Sequence, residues 1–600
     1  MALKRNIILS IIICWGWAFI LTTENTIAQT RYKIAQVRFE GNERFSDATL
    51  RRLMLSRPHR WYAKSYFRPE IFQDDLEAIS NFYLNEGYLE AKIIDHQVQI
   101  DTSSQRVNIQ IRIEEGVQTQ ISDIAFFGNR AFSDSVLMRK IKSAVGKPFR
   151  KNVLEDDRYQ ILFHYANQGY IEANVTPSLK LNAETHEMLI DFNIDEGPLV
   201  SIGAIKLEGI KKTRPKVVFR QLAFRSGDTY NYANILISQR QLYLTGLFSN
   251  VIIRPDEKAD TLPTIRNIRI SLEERKNGEM NFGFGYGTLD RLRGSVELLH
   301  NNLFGTGRQA GISGFASAIA RRAELSLTDP WLFGSKTKAD LNGYFEQRDE
   351  PAYNLDRHGF KFTLGKKLGN FSNLNLSYRY EIAQRTDKLN GLAPRPDDKG
   401  NTRSLTGLLI RDSRDDLINT TRGSFASLNF ESAGAFLKGT ATFYKTIINF
   451  RYFYPLNQRL VIASALMAGW MDRYGINDEI PIQERFFSGG ATSLRGFKEK
   501  YVGPKNELNS PVGGNVLLTL NLIEWRYTFY KKFSAISFID MGNVWKNAEQ
   551  LRKFNLRKTA GIGLRFNSPL GILRVDYGFK LDRRQDESKG ELYFSVGQAF

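Results

Sequence analysis

"NLNLSYRYEI", Asn373 to Ile382, decides how the second half of this chain is read. Leu374, Leu376, Tyr378, Tyr380 and Ile382 fill one set of alternate positions; Asn373, Asn375, Ser377, Arg379 and Glu381 fill the other. A period of two is the signature of a strand with two unlike faces. "GILRVDYGFKLD" (Gly571 to Asp582) repeats the pattern, with Leu573, Val575, Tyr577, Phe579 and Leu581 opposite Arg574, Asp576, Gly578, Lys580 and Asp582. A soluble sandwich would press two such apolar faces together and turn the charges to water. Long, aromatic-rich apolar faces opposite charged ones fit a transmembrane β-barrel better, with apolar residues toward lipid and polar residues toward the lumen.

The same pattern extends in both directions. "NFGFGYG" (Asn281 to Gly287) alternates aromatic residues with glycine, and the chain finishes on "ELYFSVGQAF", with Leu592, Phe594, Val596 and Phe600 in phase and Gln598 breaking the series. A bilayer tolerates no open sheet edge, so the last strand must pair with the first. Strands of about ten residues with their turns take roughly 20 residues each. The 325 residues from 276 to 600 then hold about sixteen strands, an even number as single-chain barrels prefer.

The chain start sets the compartment. Lys4 and Arg5 precede an apolar run from Ile7 to Leu21, and Thr26 and Ala28 occupy a small-x-small site. That arrangement reads as a signal peptide cleaved after Ala28. The one cysteine, Cys14, lies inside the run, so the expected mature chain offers no disulfide or thiolate chemistry. Hydrophobic residues make up 42%, aromatics 12%, and the formal charge is +19. The basic residues alternate with apolar ones instead of clustering, and no nucleic-acid motif accompanies them, which favours an anionic membrane surface over nucleic acid.

Three repeats organise residues 30 to 275. "FEGNERFSDATL" (Phe39 to Leu50) returns as "FFGNRAFSDSVL" (Phe126 to Leu137) and, more faintly, as "LEGIKKTRPKVV" (Leu207 to Val218). "LNEGYLEAKI", "ANQGYIEANV" and "YLTGLFSNVI" follow in turn, and "IRIEEG", "FNIDEG" and "ISLEER" close the units. Each unit reads as strand, helix, helix, strand, strand. Ser46 or Asp47 opens the first helix; Leu76, Ile79 and Tyr83 line the second at helical spacing; Gly87 ends it. Ile34, Val37 and Phe39, and Val107, Ile109, Ile111 and Ile113, are the expected core of the first unit. The fold class is therefore three β-α-α-β-β units, each a small sheet with helices on one side, followed by an all-β transmembrane antiparallel barrel of about sixteen strands. The expected boundaries are 1–28 signal peptide, 29–116, 117–198 and 199–275 repeats, and 276–600 barrel.

The chain resembles the BamA/TamA superfamily of outer-membrane assembly proteins over essentially its whole mature length. The residues that carry the resemblance are "NLFGTG" (Asn302 to Gly307), "TDPWLFG" (Thr328 to Gly334), "DSRDD…TTRGS" (Asp412 to Ser424), "FFSGGATSLRGF" (Phe486 to Phe497) and "FIDMGNVW" (Phe538 to Trp545), in that order behind three repeats. Three repeats look more like TamA than like BamA. The resemblance implies POTRA repeats in the periplasm and a barrel in the outer membrane of a Gram-negative-type bacterium. It also implies that the tip Arg495, Gly496 and Phe497 belongs to a long loop folded into the lumen. The loop's partners lie in the F-x-D-x-G motif: Asp540, with Gly542 beside it and Phe538 before it. A guanidinium can fork onto a carboxylate where an ammonium cannot. A lateral seam is expected between a first strand carrying Phe282, Phe284 and Tyr286 and a last strand carrying Phe594, Val596 and Phe600.

The implied partners are the outer-membrane bilayer, unfolded outer-membrane or secreted client proteins, and an inner-membrane-anchored TamB-like protein. No cofactor, metal, catalytic residue or nucleic acid is implied. The alternative function is a two-partner-secretion transporter passing a polypeptide through the lumen. Such transporters usually carry two repeats after a plug helix, and no plug segment fits between Gln29 and Tyr32. Six scattered histidines offer no H-E-x-x-H, no G-x-S-x-G elbow is present, and "GTGRQAG" (Gly305 to Gly311) reads as a tight turn, not a phosphate loop. The acidic pairs Asp415–Asp416 and Glu114–Glu115 read as solvated turns or repeat ends.

Overall fold

A computed structural model describes residues 32–58, 65–256, 264–388, 399–475, 479–568 and 571–596. The expected signal peptide and Phe600 lie outside them. In the first repeat, β1 (Lys33–Glu40), α1 (Asp47–Leu53), α2 (Pro69–Asn85), β2 (Lys92–Asp101) and β3 (Arg106–Glu114) follow one another. β3 lies in the centre of the sheet, parallel to β1 and antiparallel to β2. Ser46 caps α1, its hydroxyl accepting from the Thr49 N–H. Ile34 and Val37 are three apart yet both buried, because a bulge between Ile34 and Gln36 shifts the register. Together with Leu76, Ile79, Tyr83, Ile109 and Ile111 they form the core of the repeat. Truncating one such aliphatic residue to alanine removes roughly 2–5 kcal/mol.

The second repeat copies this order with β4 (Gln120–Phe127), α3 (Asp134–Met138), α4 (Lys151–Asn167), β5 (Asn174–Asn182) and β6 (Glu187–Asp195). In the third the elements are β7 (Ser201–Glu208), α5 (Pro215–Phe219), α6 (Tyr232–Leu244), β8 (Phe248–Pro255) and β9 (Ile265–Glu274). The glycine shared by the three F/L-x-G stretches has one cause. Gly41, Gly128 and Gly209 have φ of +81, +86 and +85, and an added Cβ would lie 2.0, 2.1 and 1.9 Å from the carbonyl oxygens of Ile113, Ile194 and Leu272.

The repeat-closing acids correct one expectation. Glu115 is buried; it accepts from the Tyr83 hydroxyl at 2.8 Å and from the Arg44 N–H. Glu196 accepts from Tyr165 at 2.9 Å and from the Ala131 N–H at 2.8 Å, and Glu274 from the N–H groups of Lys212 and Thr213. In each unit the second acid of the pair turns inward and satisfies the loop before the first helix, which solvated repeat ends would not do. Asp415 and Asp416 do sit in an exposed turn, where they accept from the backbone N–H groups of Thr421, Arg422, Ile418 and Asn419.

The chain forms two compact units. One runs through Lys206 and takes in Ala223–Leu236 and Pro255–Ile268; the other comprises Leu207–Leu222, Ile237–Arg254 and Arg269–Phe600. The second unit contains a closed barrel of sixteen antiparallel strands in sequence order, from β10 (Gly278–Gly287) to β25 (Gly590–Val596). "NLNLSYRYEI" lies in β16 (Ser372–Asp387). Its Leu376 is 54% exposed on the outer face, whereas Ser377 and Glu381 are buried on the inner one. Apolar-out and polar-in alternation is thus realised in the folded wall.

Candidate functional site: a loop lock beside the barrel seam

Residues 474–515 connect β20 (Leu460–Arg473) to β21 (Val516–Tyr530) and bring Leu494, Arg495, Gly496 and Phe497 into buried positions. Arg495 forks onto Asp540 of β22 (Phe533–Trp545): Nε donates to Oδ2 at 2.7 Å and Nη2 to Oδ1 at 2.8 Å. The Arg495 backbone N–H adds a third bond to the same carboxylate at 3.3 Å. Nη1 donates to Glu524 of β21, which also accepts from Arg526 Nε at 2.7 Å. Two cations therefore meet two carboxylates, and the cluster is neutral. Arg495 is 4% exposed and Asp540 0%, so the pair is drier than an open aqueous lumen would make it. Burial opposes the guanidinium charge, yet the Asp540 fork and the Glu524 contact outweigh it and hold the Arg495 pKa above its ordinary value.

Phe538, two residues before Asp540, places its ring centroid 3.4 Å from the Arg495 Cζ. The F-x-D-x-G spacing thus puts an aromatic platform and a carboxylate on one face of β22, the ring against the flat face of the cation and the carboxylate along its N–H edge. Gly542, next along that face, has no room for a side chain: a Cβ would come 2.4 Å from the Leu518 carbonyl oxygen of β21. Gly496 has φ of +105 and lets the tip pass close to β24 (Gly571–Lys580), where a Cβ on Gly578 would lie 2.6 Å from the Gly496 nitrogen. Phe497 sits between two cations, with Arg557 4.5 Å and Lys580 5.0 Å from its ring centroid.

The stem of the loop is fastened to other strands. Glu484 accepts from Arg379 of β16 at 2.9 Å, Lys445 donates to the Glu484 carbonyl at 2.6 Å, and Lys500 donates to Glu350 at 2.6 Å. The loop consequently bridges the lumen from the wall that carries Glu350, Arg379 and Lys445 to the wall formed by β21, β22 and β24. Glu524, Arg379 and Glu484 were not among the expected site residues.

The seam lies beside this lock. β10 pairs with its other neighbour at ten positions from Gly278 to Gly287, but among the described residues it pairs with β25 only through Tyr286–Val596 and Gly287–Ser595. Thr288 extends the junction: its N–H donates to the Phe594 carbonyl at 3.0 Å. Within the central wall, fifteen positions join Tyr353–Lys367 to β16. Phe282, Phe284 and Tyr286 are exposed on the outer face, and the Tyr286 and Phe594 rings meet across the seam at 6.0 Å.

The lock and the seam accompany clear likenesses to known proteins. Residues 302–600 match the Omp85 superfamily domain, and 32–116, 119–197 and 200–275 each match the POTRA-type surface antigen variable number repeat. The chain belongs to the Omp85 superfamily. Within it, the chain is 25% identical to an outer membrane protein assembly factor BamA from Nitratidesulfovibrio vulgaris, over 94% of this chain and 73% of the relative. The identity is 24% to the BamA of Neisseria meningitidis serogroup B, over 95% and 78%. The solved BamA of Haemophilus ducreyi lacking POTRA domains 1–3 shares the fold, with a TM-score of 0.71 at 22% identity, over 80% of this chain and all of that one. As an Omp85 barrel behind POTRA repeats, the protein resides in the outer membrane with its repeats in the periplasm.

Proposed function

We propose that this Omp85 protein assembles outer-membrane proteins by strand exchange at the seam between β10 and β25. The observation that carries the proposal is the contrast between the two pathways through the barrel. The lumen is crossed by a loop held by buried ion pairs, while the seam is held by two paired positions among the described residues. Among the described residues, sideways passage breaks few strand pairings, whereas passage through the lumen must first dislodge the loop. Client segments in extended form add to the edges of the repeat sheets, where β1 and β2 are the outer strands on either side of β3. They then pair with the edge that seam opening exposes, and the bilayer receives them.

The reading assigns no chemical step and no cofactor to the protein. The repeat number, three, supports extending it to an inner-membrane-anchored partner of the TamB kind, which co-purification with the full chain tests. For the central proposal, the full chain is reconstituted in liposomes with an unfolded eight-stranded barrel as client. Faster appearance of the client's heat-modifiable folded band than in empty liposomes is expected; equal rates contradict the proposal.

A further inference from the structure

A side chain of the closing strand, Tyr593, joins it to the loop tip. Tyr593 lies on the lumen face of β25, between the outward-facing Leu592 and Phe594, and is 6% exposed. Its hydroxyl accepts from the Gly496 N–H at 2.8 Å and donates to the Phe497 carbonyl at 2.6 Å. One oxygen thereby satisfies both backbone groups that flank the bond between the tip residues. The next residue, Phe594, is bonded across the seam to Thr288.

We propose that Tyr593 is a positioning residue that couples the Arg495 lock to the seam. The inference rests on the seam reading above and adds to it the link that transmits loop position to β25. The tip binds β21 through Glu524, β22 through Asp540 and β25 through Tyr593, while Arg574 of β24 donates to the Ala491 carbonyl at 2.7 Å. These bonds tie the C-terminal strands into one body around the tip. β10 stands on the other side of the seam and is hydrogen-bonded to β11 (Arg291–Leu303) along its whole length. With Tyr593 bonded, β25 is held in the position from which it reaches β10. When Arg495 leaves Asp540, the tip carries its two backbone groups away from Tyr593 and β25 loses that brace. Lock release and seam opening become one event.

The test is amide hydrogen exchange of residues 590–596 in the reconstituted full chain, which needs no client. Tyr593→Phe keeps the ring and removes the hydroxyl. Two lost hydrogen bonds predict roughly tenfold faster exchange of these amides. Arg495→Ala is expected to give a similar acceleration, and the double variant no more than the larger single effect, because both act through one link. Tyr593→Gln retains a donor and an acceptor on one side chain and is expected to restore much of the protection. Heat-modifiable gel migration confirms that each variant barrel is folded. Wild-type exchange in Tyr593→Phe, or effects that multiply in the double variant, overturns the coupling. A variant set that behaves as expected while a cross-linked seam still assembles clients would instead retain the coupling and refute the gating role on which it builds.

Discussion

Arg495 and Asp540 meet as a two-pronged fork over the ring of Phe538, with donor–acceptor distances of 2.7 and 2.8 Å. The geometry explains why the cation is arginine. Lysine would keep the charge, lose the fork and lose the flat surface that covers Phe538. Arg495→Ala leaves a carboxylate with no exposed surface and no cation, a loss of roughly 3–5 kcal/mol in the loop's hold on the wall. The barrel should still insert, and assembly of clients should fall sharply, with Arg495→Lys intermediate. Client folding rates and gel migration, measured together, check both halves; full activity of Arg495→Ala contradicts the assigned role.

"NLFGTG" makes a second, local prediction. The Arg214 N–H donates to the Gly305 carbonyl at 2.9 Å, and Asn302 Nδ2 donates to the Thr213 hydroxyl at 2.8 Å. Gly305 has φ of +72, and an added Cβ would stand 2.1 Å from the Lys212 carbonyl oxygen. The stretch is thus a socket for the segment before α5. Gly305→Ala should push that segment away and cost about 1–3 kcal/mol through strain and lost bonds. Limited proteolysis near Lys211 and Lys212 should accelerate in the variant and stay unchanged in a Ser335→Ala control on a neighbouring turn.

Glu499 gives the loop a pH dependence. Burial pushes its pKa up to about 7, with Asp290 reinforcing the shift and Lys500, Arg348 and the Ala491 N–H opposing it. Asp349, Glu350 and Lys388 line the same hollow. The packed loop then holds this proton more tightly than an unfolded chain, whose value is near 4.5. Stability from this group is complete below that value and is lost as pH rises through about 7. Thermal unfolding in detergent should show the loop-bearing barrel more stable at pH 5 than at pH 8, and Glu499→Gln should flatten this part of the profile. A wild-type profile that rises over this interval, and does so unchanged in Glu499→Gln, contradicts the assignment.

Much of this architecture was legible in the sequence, for physical reasons that also mark where legibility stopped. Period-two alternation revealed β16 and β24 because their two faces meet unlike solvents. The repeat glycines were visible because Gly41, Gly128 and Gly209 serve one steric purpose. Arg495 and Asp540 could be paired only through the family resemblance, since nothing local says which carboxylate a lumen loop will reach. Glu524 stayed hidden for a specific reason. In β21, a register shift between Asn521 and Ile523 reverses the parity of the strand. Thr519 and Asn521 face inward before it, Glu524 and Arg526 after it. A period-two reading carried through the shift places Glu524 on the lipid side. Glu115 departs from expectation for a different reason: its neighbour Glu114 is exposed, so the two members of the acidic pair have opposite environments. The recurrence of an acid at Glu115, Glu196 and Glu274 was the signal that separates them.

The central claim is that clients leave sideways between β10 and β25. Gly287 and Ser595 are partners across that seam, and a Cβ on Gly287 meets nothing within 4 Å. With Gly287→Cys and Ser595→Cys in one chain, and the remaining Cys14 within the expected signal peptide, oxidation or a short reducible thiol cross-linker joins register partners across the seam. Client folding in reconstituted liposomes should cease on cross-linking and return on reduction, while either single cysteine variant behaves as wild type throughout. Undiminished client assembly by the fully cross-linked protein would contradict the lateral pathway.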